Sequence, residues 1–286
     1  MKFYGTGAAE GIPSPFCSCR VCENARKAGG REVRRRTMLR LDDAMTIDLG
    51  ADSFQQALMY GDFTKLIHVL VTHTHEDHLA HMMMNVRNMA IRRGNEPLHF
   101  YFTDKAYDIV SFWRASSPIN KGLTMMMEEK GVVAFHKLNF YRPAVINGCE
   151  IVPLRGNHIG NMGEHSANYL ITLKDGRTLF YGLDTGWYLP ETIQALSQYQ
   201  VDIMISECTF GLTPNRNEHP QNHLDAFACM KLFGTLLSQG TLRKNSQIYL
   251  THINHHTSTH QELSEWFCKQ DFPCPITLTY DGYEID

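Results

Sequence analysis

The sequence predicts a mixed α and β fold, and two observations support this prediction. Short apolar runs rich in β-branched and aromatic residues alternate along the chain with longer segments of helical periodicity. The chain has 286 residues, 43% of them hydrophobic, which is enough to bury a large core. Pro, Gly and Ser do not accumulate at any boundary, so we expect one domain over residues 1–286.

Strand-like runs recur from one end of the chain to the other. They cover residues 38–41, 44–48, 66–72, 98–102, 132–140, 150–154, 168–173, 178–183, 201–206, 247–251 and 276–280. The glycines between Gly5 and Gly11 miss the spacing of a dinucleotide-binding loop, so we interpret them as tight turns after a first strand.

Helical periodicity appears between several of these runs. The predicted helices are residues 78–93, 105–115, 190–200, 223–239 and 259–270. Pro190 stands at a helix start, and Gly94 and Gly240 stand just past helix ends, where these residue types are favoured. No run is long and apolar enough to span a membrane, and the first residues do not form a signal peptide, so we expect a cytoplasmic protein.

The most informative segment is His73-Thr74-His75-Glu76-Asp77-His78, which directly follows the apolar run 67–71. If the chain stays extended beyond that strand, His73, His75 and Asp77 point to one side. His78 then turns in as the next helix begins. Imidazoles and carboxylates are common ligands of divalent metal ions, so this spacing predicts a site for two such ions.

Further candidate ligands stand at the ends of three later strand-like runs. They are His158, Asp184 and His252. One motif supplies too few ligands for two ions, so the remainder must come from later strand ends. A carboxylate at Asp184 could bridge the two ions and leave three other protein ligands for each of them.

A second cluster lies near the start of the chain. Cys17, Cys19 and Cys22 form a C-x-C-x-x-C pattern in a loop at about 11–36, and we expect its Pro and Gly residues to keep it out of regular structure. Three thiolates and one imidazole from elsewhere would complete a closed, structural zinc site. Eight cysteines, three of them in this cluster, fit a reducing compartment better than a disulfide framework.

The metal-ligand pattern resembles that of the metallo-β-lactamase superfamily of two-metal hydrolases, whose fold is an αββα sandwich. The resemblance implies that His73, His75 and His158 hold one ion, that Asp77, His78 and His252 hold the other, and that Asp184 bridges them. It also implies that Asp48 orients a ligand histidine. Because His252 is used in this way, we expect His255 to complete the cysteine site, with His256 as the alternative.

Within that superfamily the sequence is similar to the phosphoribosyl cyclic phosphodiesterases of the carbon-phosphorus lyase pathway for phosphonate breakdown. The matching segments are residues 5–13, the cysteine loop, 157–158, 184–185, 222–223, 251–255 and 281–285. The sequence departs from that family at about 101–142 and near 163–165. Extra residues in these segments could reshape the substrate pocket.

The resemblance implies hydrolysis of a small cyclic phosphodiester by a hydroxide that bridges two metal ions. The implied catalytic residues are Asp77, Asp184 and His223, and His223 would contact phosphate or donate a proton to the leaving oxygen. Mixed nitrogen and oxygen ligation suits Zn, Mn or Fe in the active site, in addition to one structural Zn. We expect a small phosphorylated substrate, no membrane partner and no nucleic acid, given the net charge of -3, and we leave a homodimer open.

Three alternative functions remain open at this point. The tRNA 3′-processing-type endonucleases share the ligand set but need a basic arm to hold RNA. Thioester and lactone hydrolases share the metal site but seldom have the cysteine loop. Binding proteins that resemble those of quinone-cofactor biosynthesis have a similar cysteine loop but a degraded H-x-H-x-D-H motif.

Basic residues are concentrated after the cysteines. They are Arg20, Arg26, Lys27, Arg31, Arg34, Arg35 and Arg36. If zinc holds this loop near the metal cleft, some of the arginines could attract a phosphate group of the substrate, because planar guanidinium binds phosphate bidentately. The alternative is a solvated, mobile loop.

Overall fold

The computed structural model describes residues 1–91, 94–116 and 123–286. Within these ranges two β-sheets pack face to face, and helices cover the outer face of each sheet. This is the αββα sandwich that the resemblance implied.

The first sheet has six strands in the order β1-β2-β3-β4-β5-β6 among the described residues. They are β1 Lys2–Gly5, β2 Met38–Arg40, β3 Met45–Ile47, β4 His68–Leu70, β5 Leu98–Thr103 and β6 Val133–Leu138. The first three strands are antiparallel, and β3 to β6 run parallel. The carboxyl ends of the parallel strands therefore meet at one edge.

The second sheet has the order β13-β12-β11-β10-β9-β8-β7. Its strands are β7 Ala144–Ile146, β8 Cys149–Ile159, β9 His165–Thr172, β10 Thr178–Gly182, β11 Ile203–Glu207, β12 Gln247–Thr251 and β13 Ile276–Leu278. Strands β7 to β10 are antiparallel, and β10 to β13 are parallel. The exits of β10, β11 and β12 thus lie side by side.

Helices cover both outer faces. They are α1 Arg20–Ala28, α2 Ser53–Tyr60, α3 His81–Met89, α4 Asp104–Ser116, α5 Leu123–Glu129, α6 Pro190–Leu196, α7 Ala226–Ser238 and α8 His260–Cys268. One apolar core lies between the two sheets and includes Leu70 and Tyr181. A second core joins the second sheet to α1, α6, α7 and α8, and a third joins the first sheet to the remaining helices.

The structure changes several predicted boundaries. The predicted helix 78–93 is observed as α3, His81–Met89, so His78 precedes the helix; residues 92–93 lie outside the described ranges. The predicted helix 223–239 is observed as Ala226–Ser238, because the Asp225 carboxylate caps it by accepting hydrogen bonds from the Phe227 and Ala228 amides. His223 therefore lies in a loop rather than on a helix.

The expectation that the cysteine loop lacks regular structure was wrong for its second half. Pro13 and Pro15 lie before the cysteines, whereas Arg20–Ala28 contains neither Pro nor Gly and forms α1. Glu23 in the first turn and Arg26 and Lys27 in the last turn suit the helix dipole. Cys22 consequently lies on a helix, and Cys19 immediately precedes it.

The described part of the chain contains no helix that is both long and apolar enough to cross a membrane. The cytoplasmic location, the single domain and the homodimer stay predictions.

Candidate active site

The site is built on the segment that leaves β4. Strand β4 ends at Leu70, and residues 73–78 form an irregular loop before α3 begins. His73 and His78 are fully buried, and His73 Nε2 lies 2.8 Å from His75 Nδ1. This loop places its imidazoles just past the carboxyl end of β4, beside the ends of the neighbouring parallel strands.

All seven residues of the predicted binuclear site come together. The ligand atoms of His73, His75 and His158 lie within 4.8 Å of one another, and so do those of Asp77, His78 and His252. Asp184 forms a further group of this kind with His73 and His78, one from each set. Its Oδ2 is 3.0 Å from His78 Nε2 and 3.1 Å from His252 Nε2, so it stands where a bridging ligand would stand.

The polar atoms of this cluster fit divalent cations. Among the described residues, neither ring nitrogen of His158 has a hydrogen-bond partner, and the short contacts of Asp184 Oδ2 with His78 Nε2 and His252 Nε2 do not have hydrogen-bond geometry, although all these atoms are buried. Buried polar atoms without partners are costly, whereas ligation by a cation would satisfy them. The residues therefore fit the two metal ions that the sequence predicted.

Neighbouring side chains orient two of the histidines. His78 Nδ1 lies 2.7 Å from Asp48 Oδ2, and His252 Nδ1 lies 2.9 Å from the Thr209 hydroxyl, which itself donates to Glu207. If Nδ1 carries the proton in both rings, each Nε2 lone pair points toward Asp184. The predicted orienting role of Asp48 agrees with this contact.

Three residues of the site have left-handed backbone angles, which persist only where the surrounding structure holds them. Asp48, Asp184 and His252 have φ values of 64°, 47° and 57°, and each follows the end of a strand. Left-handed backbone is uncommon for residues other than glycine and is tolerated best by Asn and Asp. The strand exits are thus bent sharply so that these side chains turn into the cluster.

Glu207 is a site residue that the sequence reasoning missed. It is fully buried at the end of β11 and accepts hydrogen bonds from the Thr185, Gly186 and Leu224 amides and from the Thr209 hydroxyl. Its Oε2 is also 3.1 Å from His223 Nδ1. A single Glu in an apolar strand has no distinctive spacing. The sequence signal that could have identified Glu207 is its position at the end of a strand, because the neighbouring strands β10 and β12 also end in candidate ligands.

His223 lies beside the cluster, with its ring centroid 5.0 Å from that of His158. Burial acts to lower the pKa of His223, but the carboxylates of Glu207 and Asp184 outweigh burial and raise the pKa to about 9. The side chain stays partly exposed, so it can meet a ligand from outside.

The cysteine cluster also assembles. Cys17, Cys19, Cys22 and His255 form one group of ligand atoms, and His255 Nδ1 lies 3.5 Å from Cys17 Sγ and 3.4 Å from Cys19 Sγ. Glu10 Oε1 is 3.5 Å from the other ring nitrogen of His255. His255, the preferred fourth ligand, thus lies against the thiols, whereas the alternative His256 is exposed and its ring is perpendicular to that of His255.

The cysteine group has the composition of a closed zinc site. Burial acts to raise the pKa of Cys19, but hydrogen bonds from the Cys22 backbone and the His255 ring outweigh burial and lower the pKa to about 6. Burial, by contrast, raises the pKa of the Cys22 thiol to about 12. The thiolate is the form that binds metal, and a bound zinc ion would favour it in both side chains.

The structure contradicts the proposed phosphate-binding role of the arginines at 34 and 36. Arg34 is buried and donates to the Thr6 hydroxyl, the Thr279 carbonyl and His260 Nδ1. Arg36 is paired with Asp52 and with the Ala9 carbonyl. The other arginines of the loop also have protein partners. Arg20 pairs with Glu262, and Arg35 pairs with Asp281. Arg26 donates to the Ser14 carbonyl, and Arg31 lies over the ring of Tyr280. Most of these contacts tie the loop to the rest of the domain.

Comparisons with known proteins show the family of the chain. Residues 45–253 match the family model of the beta-lactamase superfamily domain. The chain is 25% identical over 297 residues to a protein named octanoyltransferase from Porphyromonas gingivalis (strain ATCC BAA-308 / W83). That match covers 98% of this chain but 50% of the relative, so the chain spans about half the length of that protein.

Two solved structures share the fold. A diphosphatase from the PhnP family superposes with a TM-score of 0.72 at 20% identity, covering 99% of this chain and 96% of that one. Zn(2+)-bound PqqB from Methylobacterium extorquens superposes with a TM-score of 0.71 at 15% identity, covering 100% of both chains. Since the family model spans more than half of the sequence, the chain belongs to the metallo-β-lactamase superfamily.

Proposed function

We propose that the chain is a phosphodiesterase that hydrolyses a small cyclic phosphodiester resembling a phosphoribosyl cyclic phosphate. The observation that carries this proposal is the placement of His223 beside a complete set of seven ligands, with Glu207 against its Nδ1. Phosphodiester hydrolysis needs both a strong electrophilic centre and a proton for the leaving alkoxide. Metal ions held by the cluster would be the electrophilic centre, and His223, which lies beside the cluster, would donate the proton.

The protein ligands would hold two divalent ions, with His73, His75 and His158 on one ion, Asp77, His78 and His252 on the other, and Asp184 on both. When bound, the ions would lower the pKa of water, orient the phosphoryl oxygens and stabilise the developing charge. Asp48 and Thr209 keep the His78 and His252 rings turned toward the ions. We assign Zn, Mn or Fe to this site and one structural Zn to the cysteine group.

His223 would act as the general acid. Because its Nδ1 is engaged by Glu207, Nε2 is the ring nitrogen left to donate a proton to the leaving oxygen. Glu207 would hold the protonated ring in place, since its two oxygens are themselves fixed by three backbone amides and a hydroxyl.

A substrate comparison tests the proposal. We expect the His223→Ala variant, reconstituted with Mn²⁺, to hydrolyse a ribose-type cyclic phosphodiester about 100-fold or more slowly than the unmodified protein. The same variant should hydrolyse an aryl phosphodiester at nearly the original rate, because an aryl oxide leaves without a proton. Steady-state kinetics on both substrates gives the result.

The control in this experiment is His219→Ala. His219 is exposed, lies in the same loop as His223, and packs its ring against Trp187. It should not discriminate between the two leaving groups. Equal losses on both substrates for His223→Ala would remove the general-acid assignment. A metal-loaded protein that hydrolyses no cyclic phosphodiester would contradict the proposed function itself.

Hydrolysis of an acyl thioester is a second candidate. One observation favours it, because the Porphyromonas gingivalis relative is named an octanoyltransferase. The match covers half of that protein, so its name could describe the other half. Including an octanoyl thioester among the substrates separates the two candidates, since faster turnover of the thioester than of any phosphodiester would favour the second one.

A further inference from the structure

The hairpin between β8 and β9 contacts the metal-ligand loop directly. Glu164 is fully buried in this hairpin, and its Oε1 accepts hydrogen bonds from both the amide (2.8 Å) and the hydroxyl of Thr74. The Asn161 side-chain amide donates to the Thr74 carbonyl at 2.8 Å. The hairpin therefore holds both polar backbone groups of Thr74.

Thr74 separates two of the predicted ligands of one ion. His73 Nε2 and His75 Nδ1 lie 2.8 Å apart on either side of it, so a rotation of the Thr74 peptide would move both rings. The segment has no regular structure of its own, because β4 ends at Leu70 and α3 begins at His81. Its geometry must come from outside the loop.

Strand β9 supplies this support at successive positions. The Tyr169 hydroxyl donates to the Val71 carbonyl at 2.6 Å, and the Ala167 amide donates to the Thr72 carbonyl at 2.8 Å. Glu164 continues the series to Thr74, the last position before His75. Each contact joins one sheet to the other at the point where the ligands leave β4.

Two features of Glu164 indicate a role other than stabilising the fold. Its second oxygen, Oε2, is buried without a hydrogen-bond partner among the described residues, and such an arrangement costs free energy. The side chain also folds back over Gly160, where a Cβ would lie only 2.8 Å from Glu164 Cγ and Oε1. A glycine at 160 is thus needed to let this carboxylate reach Thr74.

We propose that Glu164 is a positioning residue that holds His73 and His75 in the geometry needed to bind metal, through its hydrogen bonds to Thr74. The proposal rests on the two-ion site described under the proposed function. It also gives a role to the longer loop near residues 163–165, where the sequence departs from the phosphoribosyl cyclic phosphodiesterases.

The test measures metal binding rather than turnover alone. Mn²⁺ is titrated into protein that keeps zinc in its cysteine site, and free Mn²⁺ is followed by its EPR signal. Hard Mn²⁺ binds poorly to thiolates, so the titration reports the His and Asp cluster. We expect Glu164→Ala to weaken Mn²⁺ binding about 10- to 100-fold, the usual effect of removing a residue that orients a ligand.

Conservative variants distinguish positioning from general stability. Glu164→Gln retains an acceptor at Oε1 and should recover most of the affinity, and excess Mn²⁺ should restore the kcat of both variants. Met162→Ala alters an exposed residue in the same hairpin and serves as the control, with unchanged Mn²⁺ binding. If Glu164→Ala does not fold, Thr74→Val decides, because it removes one donor and should weaken Mn²⁺ binding about 3- to 10-fold.

Two outcomes would overturn the inference. One is unchanged Mn²⁺ affinity in a folded Glu164→Ala or Thr74→Val variant, even with a lower melting temperature, which would make the contact structural only. The other is equal loss in Glu164→Gln and Glu164→Ala with no rescue by Mn²⁺. Failure of the proposed function is separate, because in that case the unmodified protein would bind Mn²⁺ but hydrolyse no cyclic phosphodiester. Failure of the two-ion site itself would appear as an unmodified protein that binds no Mn²⁺ at this site.

Discussion

Asp184→Asn is expected to lower turnover by about 1,000-fold or more while leaving the chain folded, because Asp184 is the residue placed against ligands from both triplets. Without the carboxylate, the two ions would lose their shared ligand and the balance of charge between them. Asparagine is the better replacement, since the φ of 47° at this position would strain alanine. Steady-state kinetics and thermal unfolding of the same samples measure the two effects.

A second carboxylate of the same sheet provides the control. Asp202 lies just before β11, at the opposite end of the parallel strands, where it binds Arg243 and the Thr178 amide. Asp202→Asn should retain turnover within a few-fold, whatever its effect on stability. Turnover of Asp184→Asn within about 10-fold of the original would show that the bridging position is not needed for the reaction.

Cys22→Ser is expected to lose one zinc ion per chain and to lower the melting temperature by about 10 °C or more. Structural zinc binding is itself folding free energy, and a loss of several kcal/mol produces a shift of this size in a domain this large. Serine nearly preserves the volume of the fully buried Cys22 side chain, so a cavity does not explain the loss. Elemental analysis and thermal unfolding give the two results.

Cys268 offers the matched control because it is exposed in α8 and lies outside the cysteine group. Cys268→Ser should retain all zinc and melt normally. A chelator strong enough to strip zinc should bring the unmodified protein down to the melting temperature of Cys22→Ser and should change that variant little. Normal melting and full zinc content in Cys22→Ser would contradict the structural site.

The proposed binuclear ligands could be named from the sequence because each carries a local signal. His158, Asp184 and His252 each lie at or just past the end of a strand, and the H-x-H-x-D-H spacing is rare outside metal sites. The supporting residues carry no such signal. Glu207 and Glu164 look like ordinary acidic residues in the sequence. The loop after β11 brings His223 back to Glu207, and the packing of the two sheets brings Glu164 to Thr74.

The missed elements have similar causes. Strand β7, Ala144–Ile146, is too short for a period-two pattern to stand out. Helix α2 has eight residues, and its fully buried side chains are the polar Ser53 and Gln56, so no apolar face stands out in the sequence. Asp52 stands at its N-cap position, but the carboxylate binds Arg36 and does not cap the helix. The arginine prediction failed for a related reason, since the ion pairs and burial that occupy these side chains depend on contacts far apart in the sequence.

The metal content of the purified protein tests the central claim most directly. Elemental analysis of gently purified chain should find about three ions per chain, two in the His and Asp cluster and one zinc with the cysteines. Cys22→Ser should lose one zinc, and His75→Ala should lose metal from the other site together with turnover. Full turnover by a chain that carries only the cysteine zinc would contradict the two-ion site.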